Sequence, residues 1–328
     1  MTVPCVRVPR ERGEDARQEL AAAGLLSETH DVGVRDEWIY IPVADREAVP
    51  AAFTVEEFDA PERDTQTMPA DLLGFEPSYE RLGDIVIVDE DDPDRAADIA
   101  DAIMASDIRA KTVVNRASKV KGVERVRDWE VLAGDGTETV HREYGHEFAL
   151  DIASVYFSPR LATERHRVIE QVQDGETAFD MFAGVGPYAI PMAVAGAEVV
   201  ATDVNAEAIE YLEQNAVTNG VADSITARHG DVRTIAADYR DWASRIVMNL
   251  PHSADEFLDT AIQLASETCR IHYYDIQHES APFEPGENAI SAAAGEDYQV
   301  SIENTRVVRT YAPHEVNVVI DARVDRGP

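Results

Sequence analysis

Positive charge is what this sequence has least of. Of 328 residues only 29 are Lys or Arg, against 63 Asp or Glu, a formal net charge of -34. Lysine is nearly absent, with Lys111, Lys119 and Lys121 the only three. Such a surface excludes a protein that grips polyanions over its whole exterior, because in dilute buffer it repels them and itself. At molar salt the Debye length shrinks to about 3 Å, so the composition fits a halophilic cytoplasm. Cysteine is also scarce: Cys5 and Cys269 have no metal-ligand spacing, which leaves them as ordinary buried or half-exposed thiols. No apolar run approaches the roughly 20 residues needed to cross a bilayer, and residues 1–12 lack a signal peptide's apolar stretch. A soluble cytoplasmic chain is expected, and apolar periodicity along most of its length argues against a disordered acidic protein.

A chain of this length suits two or three domains. Residues 1–65 read as a small α+β unit, with a strand over 3–8, an amphipathic helix over 13–23 and a strand over 38–42. Acids, prolines and threonines over 58–71 suit a linker. Residues 70–150 read as a second α+β domain. A strand over 85–88 precedes a helix over 93–105 whose first turn is acidic, as the helix dipole prefers. Further strands are expected at 130–132, 138–141 and 148–152. Between helix and strands, residues 109–127 hold seven basic side chains against one acid, Glu124, about +6 in a protein of the opposite sign. With lysine otherwise absent, this stretch reads as a phosphate-contacting patch more than as a solvated helix face.

Residues 151–328 alternate strand and helix, with strands over 178–182, 198–202, 225–229, 245–248 and 270–274, the signature of a parallel sheet. The runs 299–310 and 316–324 are separated only by a short loop around Pro313, so they form an antiparallel pair. The expected fold class is α/β: a mostly parallel, Rossmann-like sheet closed by an antiparallel terminal hairpin and preceded by small α+β domains. This plan resembles the class I methyltransferases.

The chemistry concentrates in three segments. In Asp180-Met181-Phe182-Ala183-Gly184-Val185-Gly186-Pro187-Tyr188, Gly184 and Gly186 let the backbone turn sharply and approach a ligand. Asp203, ending the second strand, is spaced to accept ribose hydroxyls, and Asp231, after the third, to meet an adenine amino group. A dinucleotide loop would need a third glycine where Ala189 and Ile190 stand, so S-adenosylmethionine is the expected cofactor. After the fourth strand comes Asn249-Leu250-Pro251-His252, where an amide suits a nucleobase edge or, alternatively, a helix cap. It is related to the N-P-P-Y type of motif, but Leu250 and His252 depart from it and make an exocyclic amine a less favoured target. Upstream lies Val155-Tyr156-Phe157-Ser158-Pro159-Arg160-Leu161-Ala162-Thr163-Glu164-Arg165.

Together these segments resemble the archaeal and eukaryotic family that methylates N1 of guanosine 37 in tRNA, over roughly residues 70–328. The small N-terminal unit resembles the domain that fuller members use to touch the tRNA elbow. The resemblance implies Glu164 as general base, Arg125 (or Arg127) at guanine O6 and Asn249 holding the base. Tyr156 would pack against the base, with Pro251, Arg160, Lys119 and Lys121 also on the RNA side. Asp180, Phe182, Ala183, Gly184, Gly186, Asp203, Asp231, Asn249 and Arg165 would surround the cofactor. Those residue types suit the reaction: guanine N1 carries a proton that a base must remove, and a guanidinium can stabilise the charge that develops on O6. Arg160, Arg165, Arg167 and the basic stretch would help turn the base out of its stack through backbone contacts. The competing reading of Glu164 is a first-turn acid paired with Arg160 or Arg165. The implied partner is tRNA, through its anticodon stem-loop and elbow, bound by a monomer with no metal. Rival readings are aminocarboxypropyl transfer in the wyosine pathway, methylation of a tricyclic wyosine precursor, and a non-catalytic RNA-binding scaffold.

Overall fold

In strand β1 (Val3–Pro9), Cys5, Val6 and Val8 are all buried, because both faces of the strand are covered. Helix α1 (Gly13–Ala22) covers one face with Ala16 and Leu20, four residues apart and therefore on one side of the helix. Strands β2 (Gly33–Arg35), β3 (Trp38–Pro42) and β4 (Thr54–Phe58) complete an antiparallel sheet ordered β2-β3-β1-β4. This unit is one of two into which the computed structural model divides, Met1–Leu72 and Leu73–Pro328. The structure describes residues 2–63, 66–119, 121–122 and 124–327, so a boundary near residue 65 lies outside the described residues. A short helix, α2 (Pro69–Leu73), follows in the chain.

The second unit begins with β5 (Tyr79–Leu82) and β6 (Ile85–Val88). Helix α3 (Pro93–Ala105) starts where the sequence signals it: Pro93 occupies its first turn and the Asp92 carboxylate accepts from the N–H groups of Asp94 and Arg95. All four residues of β6 are buried, since Val86 and Val88 pack on α3 while Ile85 and Ile87 join a second cluster with Leu150, Ile152 and Val185. Strands β7 (Thr112–Arg116) and β8 (Trp129–Gly134) finish the sheet, ordered β5-β6-β7-β8. Strand β7 was not expected. It runs through the basic stretch, because Val113 and Val114 are apolar enough to be buried beside β6. Strands β9 (Glu138–Glu143) and β10 (His146–Asp151) then form a hairpin.

Helix α4 (Ala162–Ile169) leads into the α/β layer: β11 (Thr177–Asp180), α5 (Ala189–Val194), β12 (Glu198–Asp203), α6 (Ala206–Thr218), β13 (Ile225–His229), α7 (Val232–Ile235), β14 (Ala243–Met248), α8 (Leu258–Leu264), β15 (Ala265–His278), α9 (Glu284–Ala294), β16 (Tyr298–Ala312) and β17 (Glu315–Arg326). The seven strands are ordered β13-β12-β11-β14-β15-β17-β16. The first five are parallel, and β17 is antiparallel to both its neighbours, as the pattern of runs predicted. Side chains alternate between two cores. Ile246, Met248, Ile271 and Tyr273 pack under α8 and α9, while Ala178, Val199, Val247 and Tyr274 pack under α4, α5 and α6.

One amide ties α6 to the hairpin. The Asn215 side chain, fully buried, accepts from the Ala149 N–H and donates to the carbonyls of Ala149 and Val185. Asn215→Ala leaves these backbone groups unpaired in a dry site, at about 1–3 kcal/mol for the worst of them. The expected outcome is a loss of about 2–4 kcal/mol in denaturant unfolding, with little change in the slope.

Candidate active site

Strand β11 has β12 on one side and β14 on the other, so the strand order reverses at its C-terminal end. The crevice at such a reversal is where open α/β sheets bind ligands. Gly184 (φ +53°) and Gly186 (φ +94°) make the turn there. A Cβ on Gly186 would come within 2.9 Å of the Ile190 side chain, so the residue is constrained by space as well as by φ. The turn is tied to β12 by three bonds, one of them from the Thr202 hydroxyl to the Met181 carbonyl. The Gly184 N–H donates to Asp203 at 2.8 Å, and the Ala183 N–H to the Thr202 carbonyl. Burial raises the Asp203 carboxyl, bonds from Asn205 and Gly184 oppose the rise, and the nearby Glu124 charge adds to it. Phe182, half-buried, sets its ring against Phe257 edge to face.

Beneath the turn lies Asp180. Both its oxygens are buried without a hydrogen-bond partner. Burial pushes its carboxyl up to about 7, poorly aligned bonds from the Phe182 and Ala189 N–H groups offsetting part of the rise and the Asp203 charge adding to it. A carboxylate so placed calls for a cationic partner.

Glu164, on the first turn of α4, is buried. An ion pair does form here, as in the competing reading of this residue, but with neither Arg160 nor Arg165. Arg167 instead donates to both carboxylate oxygens, through Nε at 3.1 and 3.0 Å and Nη2 at 2.7 Å. Arg160 bonds Glu80, and Arg165, 3% exposed at its side chain, is committed to Glu143 and the Ser158 carbonyl. The expectations of a cofactor contact from Arg165 and of phosphate contacts from Arg165 and Arg167 are therefore revised: both guanidinium groups are consumed inside the protein. The Tyr274 hydroxyl donates to Glu164 at 2.9 Å and accepts from Tyr188, the last residue of the glycine turn. Base candidate and turn are thus joined by two buried hydroxyls.

Asn249 and Pro251 follow β14 at the same sheet edge, both half-buried. The next helix, α8, begins at Leu258 behind Phe257, so Asn249 caps no helix. Arg125 lies across the exposed ring of Tyr156, 5.4 Å from its centroid, and its charge lowers the His252 imidazole beyond the effect of burial. Arg127 stacks instead on Trp129. In the rest of the basic stretch, Lys119 is exposed, Lys121 pairs with Asp128, and Arg116 is taken up by Glu80 and Asp89. Asp231 caps α7 and forms a fork with Arg233, so it is less open to a ligand than its position in the sequence suggests.

Three family profiles cover most of the chain: the TRM5/TYW2 methyltransferase domain over residues 139–303, the TYW2 N-terminal domain over 65–137 and the tRNA methyltransferase 5 N-terminal domain over 5–50. The chain belongs to the TRM5/TYW2 methyltransferase family. It is 37% identical to the tRNA (guanine(37)-N(1))-methyltransferase Trm5b of Pyrococcus abyssi, across 97% of this chain and 98% of that protein. A tRNA(Phe) (4-demethylwyosine(37)-C(7)) aminocarboxypropyltransferase of Pyrococcus horikoshii is 31% identical across 79% of this chain and 94% of its own. Among solved structures, the complex of aTrm5 with tRNALeu superposes with a TM-score of 0.76 at 29% identity, covering 97% of this chain and 99% of that one.

Within this family the residues present fit S-adenosylmethionine. The partnerless Asp180 matches an ammonium group, and Asp203 keeps lone pairs for hydroxyls beside its two backbone bonds. Arg167 and Tyr274, which bond Glu164 directly, and Asp321 and His272, at one and two removes, belong to no motif. Their one sequence signal is a polar residue inside an apolar strand, as in Val318-Val319-Ile320-Asp321.

Because the Asp180 pKa is raised in the fold, its contribution to stability is fully present below the unfolded value and is lost as pH climbs toward about 7. Asp180→Asn is therefore expected to raise the melting temperature of the ligand-free protein at pH 8. It should also weaken S-adenosylmethionine binding about 10- to 100-fold. Melting curves with and without S-adenosylmethionine at pH 5 and 8 read both effects, and unchanged affinity removes Asp180 from the cofactor site.

Proposed function

We propose that this chain transfers a methyl group from S-adenosylmethionine to N1 of guanosine 37 in tRNA. The observation that carries the reading is the Glu164 carboxylate, buried and linked through the Tyr274 and Tyr188 hydroxyls to the glycine turn. Guanine N1 is protonated at neutral pH and has no free in-plane lone pair, so a positioned base is the first requirement. When bound, S-adenosylmethionine supplies an electrophilic methyl group on a sulfonium. Asp180 and Asp203, with the turn at Phe182, Ala183, Gly184 and Gly186, hold it, and Asp231 stands at the adenine end. Asn249 presents donor and acceptor to the guanine edge, flanked by Pro251 and Tyr156. Glu164 accepts the N1 proton. Arg125, already across Tyr156 and beside His252, stabilises the charge on O6, a placement that favours it over Arg127.

The tRNA is held by the exposed Lys119 of the basic stretch, by Lys121 and Arg160 on exchanging their Asp128 and Glu80 partners for phosphate, and by the N-terminal unit at the elbow. A profile for the methyltransferase N-terminal domain at residues 5–50 favours this reading over aminocarboxypropyl transfer. The excess of acid supports work at high salt in the cytoplasm.

Nucleoside analysis after incubation with transcripts carrying guanosine or adenosine at position 37 is expected to give N1-methylguanosine from the first and nothing from the second. Glu164→Gln should lower the single-turnover rate at least about 100-fold with tRNA affinity retained. Arg125→Ala should cost about 100-fold and Arg127→Ala far less. Methylation of the adenosine transcript, or an aminocarboxypropylated product, would reject the assignment.

A further inference from the structure

Behind Glu164 a chain of polar groups runs across the sheet. Arg167 sits between two carboxylates, donating to Glu164 on one edge and to Asp321 on the other, through Nη1 at 2.6 Å and Nη2 at 3.1 Å. Asp321 also accepts from Asn304 and bonds His272 Nδ1 at 2.6 Å. His272 Nε2 lies 2.7 Å from Nη1 of Arg245, which in turn bonds Glu176. An arginine only donates, so Nε2 accepts and the histidine proton is on Nδ1, facing Asp321. His272 is therefore neutral, consistent with burial holding its pKa down. The row reads Glu176, Arg245, His272, Asp321, Arg167, Glu164, with every donor direction fixed.

The two oxygens of Glu164 are not equivalent. Oε1 accepts from Tyr274 at 2.9 Å and from Arg167 Nη2 at 2.7 Å, besides a longer contact to Nε. Among the described residues Oε2 has only Nε at 3.0 Å and the half-exposed Arg306 at 3.9 Å. Tyr274 has no choice of direction, because its hydroxyl already accepts from Tyr188.

We infer that Arg167, Asp321 and Tyr274 are positioning residues that saturate Oε1 and leave Oε2 as the atom that receives the N1 proton. The inference rests on Glu164 being the base. The N1–H bond breaks, its electron pair stays on the guanine for the incoming methyl group, and the proton bonds Oε2. Asp321 has a second task at that moment. Neutralising Glu164 removes one counterion of the half-buried Arg167 guanidinium, and Asp321 remains as the other. Arg167 thus stays charged and fixed while the base titrates, and the carboxyl group does not rotate out of line.

The test is the single-turnover rate of N1-methylguanosine formation on a guanosine-37 transcript by Tyr274→Phe and Asp321→Asn, each alone and combined with Glu164→Gln. Tyr274→Phe keeps the ring and its packing, so it carries the test if Asp321→Asn fails to fold. Each is expected to slow the step about 10- to 100-fold, the scale of a small misplacement, with binding of tRNA and S-adenosylmethionine within about twofold of the parent. In the Glu164→Gln background neither should slow it further, because groups that act through one atom are not additive. Tyr274→Phe at the parental rate, or the same loss in both backgrounds, overturns the positioning role and leaves the base reading intact. Glu164→Gln at the parental rate overturns the base reading and this inference with it.

Discussion

Arg167 is one guanidinium shared by two buried carboxylates, and the site is arranged around it. Its own burial would lower its pKa, yet the bonds to Glu164 and Asp321 raise it far beyond the usual arginine value. Such a pair is a poor way to gain stability. Desolvation costs several kcal/mol per ion, and apolar residues of the same volume often do as well or better. What a buried pair does supply is direction, since every bond in it has a fixed donor. That direction depends on strand register. His272 pairs with Val247 and with Asp321, and Asp321 with Asn304, so three polar residues stand side by side across β15, β17 and β16. A slip of one residue would send each to the opposite face, under α8 and α9, with no partner.

The same face carries the cofactor turn. Tyr188 ends the turn, Tyr274 ends the apolar part of β15, and their hydroxyls join the turn to α4. The crevice is then bounded by two carboxylates in contrasting states. Asp180, buried with no cationic partner among the described residues and pushed up to about 7, is suited to a cationic group. Glu164, with several donors, is complete in the free protein. One is suited to holding the ligand and the other to a single proton transfer in a defined direction.

How much of this was legible in the sequence depended on whether the cause was local. The five parallel strands and the terminal hairpin stood out because buried strands are short apolar runs between turn residues, and Glu198, Ile225 and Asn249 mark such edges. Helix α3 was readable from Asp92 and Pro93 for the same reason. Strand β7 was hidden, because Lys111 and Arg116 bracket its two valines and the charge masked the run. The glycine turn, Asp203, Glu164 and Asn249 were legible as motifs. The partner of Glu164 was within local reach, Arg167 standing three residues on, but what fixes that arginine was not, since Asp321 lies 154 positions from it and the two meet only through the sheet. Arg165 and Arg167 show the converse error. A basic residue near a site looks like a ligand contact until the acid that consumes it, Glu143 or Asp321, is located in space.

Salt sharpens the contrast between inner and outer charges. For a chain of net charge -34, ions are needed to screen the surface, and the same ions weaken every exposed phosphate contact, steeply where several are made. Lys119 and Lys121, on the exposed loop, fall under that penalty. Arg125 across Tyr156, and Arg127 across Trp129, combine charge with stacking and lose less. The inner part of the row behind Glu164 is shielded, because Asp321, His272 and Arg245 are buried. An RNA enzyme with so acidic an exterior therefore has reason to keep its decisive charges inside and to rely on stacking where it meets a base.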